Sequence, residues 1–203
     1  MAVLFANNNS LSAITALPSD VSGGAMTLLE TQTASSDSTL SFTSNIDSTY
    51  KEYIFKFTDI HPGTDNKYFQ FQTDTGTNTS YNQTITSSSF YAYQEEDGSP
   101  AALSYATGND QAQGTGFQRL SDEVGNENDE SCSGTLQIFE PSSTTFVKHF
   151  ISRFSTYYGY GSGYIVDSYI AGYVNTTTAL TRFQFKMNSG NIDSGTIKLY
   201  GIS

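Results

Sequence analysis

Apolar and polar side chains alternate with a period of two along much of this chain. Tyr53-Ile54-Phe55-Lys56-Phe57, Tyr68-Phe69-Gln70-Phe71-Gln72, Arg182-Phe183-Gln184-Phe185-Lys186 and Thr196-Ile197-Lys198-Leu199-Tyr200 each set Phe and Tyr or an aliphatic residue against Gln, Lys, Thr or Ser. Successive side chains of a pleated strand point to opposite faces, so these segments are expected to be half-buried members of antiparallel sheets. Strands are predicted at Met26 to Thr33, Thr39 to Thr43, Tyr53 to Thr58, Tyr68 to Thr73, Asn82 to Thr86, Phe90 to Gln94, Thr135 to Phe139, Phe146 to Phe154, Ile165 to Val174, Leu180 to Met187 and Thr196 to Tyr200. Turn residues separate them, as in His61-Pro62-Gly63, Asp74-Thr75-Gly76, Glu140-Pro141-Ser142-Ser143, Asn188-Ser189-Gly190-Asn191 and Asp193-Ser194-Gly195. Short strands at this spacing predict an all-β fold, an antiparallel β-sandwich of jelly-roll type.

Two stretches depart from the pattern. Residues 1–25 carry no Lys, Arg or Tyr, and Pro18 and Gly23-Gly24 end the loose Leu11, Ile14, Leu17 spacing. They are read as an extended N-terminal arm, with Leu4, Phe5, Leu11, Ile14 and Leu17 as its anchoring residues, ahead of a β-sandwich domain at 26–203. Within that domain, residues from about 95 to 133 form a long polar loop insertion. Eight of the twenty carboxylates fall in two of its clusters, Glu95-Glu96-Asp97 and Asp122 to Glu130. A polar excursion of this length implies a partner or a function.

At 203 residues the chain is long enough to bury a real core. Its 14 Tyr and 14 Phe supply apolar burial that a hydrophobic fraction of 36% would otherwise leave short. The net charge of −11 disfavours nucleic acid and anionic membrane surfaces, both of which select basic patches. The single cysteine, Cys132, excludes an intrachain disulfide and is read as a small packed residue. No apolar run is long enough for insertion into a membrane, and no basic-then-apolar leader follows Met1.

Few residues suggest chemistry, and no catalytic, cofactor-binding or metal-binding residue is assigned. The stretch Asp122 to Glu130 gathers hard oxygen donors but lacks the spacing of an EF-hand loop, so a solvated loop is the preferred reading. His61 and His149 stand without a nucleophile elbow, a His-Glu-x-x-His pair or a phosphate-cradling loop. The densest aromatic patch is Tyr157-Tyr158-Gly159-Tyr160-Gly161-Ser162-Gly163-Tyr164. Three readings stay open for Tyr157, Tyr158, Tyr160 and Tyr164: interface anchors, a glycan contact, or rings covering a sheet edge.

The stretches Thr39 to Tyr50, Phe55 to Pro62, Phe139 to His149, Ala171 to Thr177 and the ending Gly195 to Gly201 resemble uncharacterised proteins of marine bacteriophages, of cyanophage and pelagiphage type. The resemblance runs over nearly the whole chain and brings no catalytic residues with it. It implies a virion structural protein on the particle exterior, decorating the capsid or forming part of a tail appendage and made in the host cytoplasm. Its partners would be other virion proteins and its own copies, with a trimer expected, and a host-surface glycan is a further candidate. A carbohydrate-binding receptor-recognition tip and a capsule-polysaccharide depolymerase are the alternatives.

Overall fold

The computed structural model describes residues 25–98, 101–158 and 163–203. The expected arm, with Leu4, Phe5, Leu11, Ile14 and Leu17, lies outside the described residues, as does Tyr160. Among the described residues the chain is all-β. It forms β1 (Met26–Thr33), β2 (Leu40–Phe42), β3 (Glu52–Pro62), β4 (Lys67–Thr75), β5 (Ile85–Glu95), β6 (Ala101–Tyr105), β7 (Gln118–Val124), β8 (Cys132–Phe139), β9 (Lys148–Tyr158), β10 (Tyr164–Val174), β11 (Leu180–Met187) and β12 (Ile192–Ile202). They make two antiparallel sheets. The larger has the order β1-β12-β3-β8-β9-β10-β5-β6, and the smaller β2-β11-β4-β7.

All eleven expected strands coincide with or overlap observed ones, with two corrections. Asn82 to Thr86 and Phe90 to Gln94 belong to the single strand β5, because Ser87, Ser88 and Ser89 continue the ladder to β10 as well as apolar residues would. The stretch 95–133, expected as a polar loop, contributes β6 and β7 and is thus partly sheet. The expected half-burial of Tyr68 to Thr73 also differs. From Phe69 through Asp74 every residue of β4 is buried, so the face carrying Gln70, Gln72 and Asp74 is covered as well.

That cover is a hydrogen-bonded seam. Gln72 Nε2 donates to the carbonyls of Gln83, Thr115 and Gly116 at 2.9–3.2 Å, and Gln72 Oε1 accepts from the Thr73 amide. Asp74 accepts from the Tyr81 amide at 2.9 Å and from Gln83 Nε2 at 3.0 Å. Gln72 and Asp74 thereby keep partners, the condition on which polar residues are tolerated inside a protein.

The core lies between the sheets and is aromatic. Phe185 is surrounded by Phe55 at 4.9 Å, Phe57 at 5.1 Å, Phe42 and Phe69 at 5.9 Å and Phe71 at 6.5 Å between ring centroids. Phe154 and Phe150, from β9, close it against Phe57 and Phe71. The edge-to-face and offset geometries are those that ring quadrupoles favour.

The two sheets differ in width. At about 4.8 Å per strand interval, eight strands span roughly 34 Å and four roughly 14 Å. The larger sheet therefore extends past the edge strand β7, and β10, β5 and β6 form an overhang. The segment 106–117 covers one end of it, with Ile85 and Gly114 exchanging backbone hydrogen bonds and the Ser87 amide donating to Gln111 O at 2.9 Å.

Candidate functional site

The overhang has two faces, and strand alternation decides what each presents. On the outer face, register aligns Arg153, Tyr169, Phe90 and Tyr105 across β9, β10, β5 and β6. Ser155, Asp167, Ala92 and Leu103 form the next row, and Tyr157, Ile165, Gln94 and Ala101 the row beyond it. Leu103 is 71% exposed, Ile151 51% and Phe90 43%. Large apolar side chains this exposed are unusual on a monomer surface.

The polar members of this face are held in place. Arg153 donates to Asp167 through both Nε, at 2.9 Å, and Nη2, at 2.7 Å, and its guanidinium stacks over the Tyr169 ring at 4.9 Å. Tyr169 in turn stacks on Phe90, centroids 4.9 Å apart and planes 4° from parallel. The hydrogen bonds from Arg153 hold the Asp167 carboxyl below the usual range. A preordered charge pair beside flat rings loses little side-chain freedom when covered.

On the inner face, past the edge of β7, lies a cleft of about 320 Å³ lined by Tyr91, Tyr93, Glu95, Asp122, Tyr164 and Val166. Tyr91 and Tyr93 lie 6.2 Å apart, as do Tyr93 and Tyr164. Tyr158 packs edge-on against Tyr164 at 5.1 Å. Burial, with added repulsion from Tyr158, Asp122, Glu123 and Glu95, pushes the Tyr164 hydroxyl up to about 12. Arg119 Nη2 pairs with Asp122 and its guanidinium stacks on Tyr68 at 4.3 Å.

The tyrosines singled out from sequence are thus divided. Tyr164 lines the cleft and Tyr158 is buried behind it, while Tyr157 belongs to the outer face. Sequence reasoning missed Tyr91, Tyr93 and Leu103. The i, i+2 spacing of Tyr91 and Tyr93 places both on one face, but only the difference in sheet width leaves that face open.

The remaining candidates engage local hydrogen bonds and packing. His61 Nδ1 lies 2.6 Å from the Glu130 carbonyl oxygen, which can only accept, so Nδ1 carries the proton. His149 packs edge-on against Tyr173 at 6.1 Å. Its neighbour Lys148 is fully buried, and the Lys148 ammonium donates to the carbonyls of Phe146 at 3.1 Å and Thr176 at 3.0 Å. Burial lowers its pKa. Burial also pushes the Cys132 thiol up to about 12, which leaves it protonated at neutral pH. Within the acidic stretch, Glu130 is buried and accepts from the Glu127 amide at 2.9 Å. Among the described residues no three His, Cys, Asp or Glu side chains are grouped to hold a metal ion, and no helix is long and apolar enough to cross a membrane. No protein-family model, curated protein or solved structure matches the chain.

Proposed function

We propose that this chain is a non-enzymatic structural protein of a bacteriophage particle, placed on the exterior as a capsid decoration or a tail-appendage component and working as a homo-oligomer. The observation that carries the reading is the exposed outer face of the overhang, where Phe90, Leu103, Tyr105, Ile151 and Ile165 stand beside the Arg153–Asp167 pair. Covering such a face removes apolar area from water at about 25 cal/mol per Å². In a symmetric assembly, one such patch is used by every copy. A trimer is the assembly proposed.

The strand pairing supports a jelly roll. β1 pairs with β12, β2 with β11, β3 with β8 and β4 with β7, the nested pairs of one long hairpin rolled into two sheets. β5-β6 and β9-β10 are then insertions that widen one sheet. Jelly rolls recur in viral shells because their sheets form a rigid body whose loops and faces are free to build contacts. Aromatic contacts also hold in salt that screens exposed charge pairs, which suits a particle exposed to seawater. The resemblance to marine phage proteins supplies the placement on a particle.

Antibody labelling of purified intact particles tests that placement. Label over the whole head is expected for a decoration protein and label at one vertex for a tail component. Infectious particles that bind no antibody, while the denatured chain does, would overturn it.

A further inference from the structure

The inner cleft is a second site, independent of the outer face. Its three rings follow one another along the exposed inner surface of β5 and β10, with Glu95 and Asp122 at its margin. Two buried hydroxyls lie elsewhere on the same sheet face. Thr156 Oγ1 and Ser168 Oγ are buried, with their residues 0% and 3% exposed, and neither has a hydrogen-bond partner among the described residues. Register places Ser168 directly across from Tyr91 and Thr156 directly across from Val166, so both belong to the face that bears the cleft. Unpaired buried hydroxyls are costly in ordinary core packing. Both are closed to solvent and neither lines the cleft, so the case for an occupant rests on the rings and carboxylates.

Tyrosine faces bind the C–H faces of sugar rings, because the negative ring face meets polarised C–H groups without desolvating a charge. Carboxylates at the margin accept from sugar hydroxyls in charge-assisted hydrogen bonds. The same carboxylates, on a chain of net charge −11, repel anionic saccharides. A cationic ligand is less favoured, because Asp122 already has its cation in Arg119. Tyrosine hydroxyls and carboxylates stand beside the ring faces, and a volume of about 320 Å³ is that of a small-ligand site.

We propose that the cleft formed by Tyr91, Tyr93, Tyr164, Glu95 and Asp122 binds a short segment of a neutral, hydroxyl-rich glycan, its rings stacked on the tyrosines and its hydroxyls paired with the carboxylates. The site belongs to the isolated chain and does not depend on placement in a particle. Sugar binding by a chain absent from particles, or its lack in a chain present on them, therefore separates the two proposals.

Amide-resolved NMR titration tests it, with neutral hexasaccharides of glucose, galactose, mannose and N-acetylglucosamine as probes. A hexagalacturonate and a hexalysine serve as charged counterparts. At least one neutral probe is expected to shift amides 91–95 and 164–166, with an affinity that changes less than twofold on raising the salt. Tyr93→Ala is expected to weaken binding about tenfold. Glu95→Gln, which preserves shape, is expected to weaken it severalfold, and Ile151→Ser on the outer face to leave it unchanged. Absence of shifts with every neutral probe would overturn the proposal. So would tighter, salt-sensitive binding of hexalysine or hexagalacturonate, or binding indifferent to both Tyr93→Ala and Glu95→Gln.

Discussion

Phe185 touches five other phenylalanine rings, and none of its surface reaches solvent. Truncating it removes the shared wall of those contacts and leaves a cavity that the surrounding rigid strands are slow to fill. Phe185→Ala is expected to cost about 3–5 kcal/mol, and Phe185→Leu markedly less, in chemical denaturation at constant m-value. Cys132 gives a different kind of test. Its thiol rises from the ordinary 9.0 to about 12 in the folded chain. A raised folded pKa contributes stability that is complete below pH 9 and lost as pH climbs toward 12. At pH 10 the loss from this group alone is about 1.4 kcal/mol. In Cys132→Ala, whose baseline stability is lower from lost packing, the drop in unfolding free energy between pH 8 and pH 10 should be smaller by about that amount. Equal drops in both proteins would show that the thiol does not govern this limb.

β3 and β12 are joined through paired irregularities. Register slips where Thr58 to His61 on β3 face Thr196 to Ser194 on β12, with Asp59 at φ 51° and Gly195 at φ 125°, and β3 slips again against β8 between Phe57 and Ile60. A Cβ at Gly195 would lie 2.7 Å from Asp59 O and 2.8 Å from Ile60 Cα, both backbone atoms. Gly195→Ala should therefore destabilise the chain by more than about 1 kcal/mol in thermal unfolding, through both the backbone conformation and the clash. Asp193-Ser194-Gly195 reads as a turn in the sequence because bulges and turns draw on the same residues. The strands with aromatic alternation, β3 and β11, were legible because each buries a face of Phe against a largely polar other face. β6, with the sequence Ala101-Ala102-Leu103-Ser104-Tyr105, is too short and too exposed to carry that signal. β7 was hidden by its charge, since Arg119, Asp122 and Glu123 at a sheet margin read as a solvated loop. Lys148 was illegible for the reverse reason. Its burial depends on the carbonyls of Phe146 and Thr176, and the latter lies far along the chain.

The two-sided overhang is a property of the assembled molecule and of no segment within it. Tyr91 and Tyr93 become a cleft, and Phe90, Leu103 and Tyr105 a projecting patch, only because one sheet outgrows the other. The same imbalance explains why the polar stretch 95–133 is long. It crosses from the wide sheet to the narrow one and back through β6, β7 and β8, and its middle part covers β4 and the near end of β5. In the proposed assembly, the acidic surface would keep separate assemblies apart while the apolar rows on the overhang associate where copies meet. Sedimentation velocity of the full chain in salt of seawater strength, beside Leu103→Lys, is the decisive comparison, with glycan binding or chain folding as a check that the variant keeps its structure. The native chain should sediment as a trimer and the variant as a folded monomer. A native chain that stays monomeric at every concentration reached, or a Leu103→Lys variant that remains trimeric, would contradict assembly through this face.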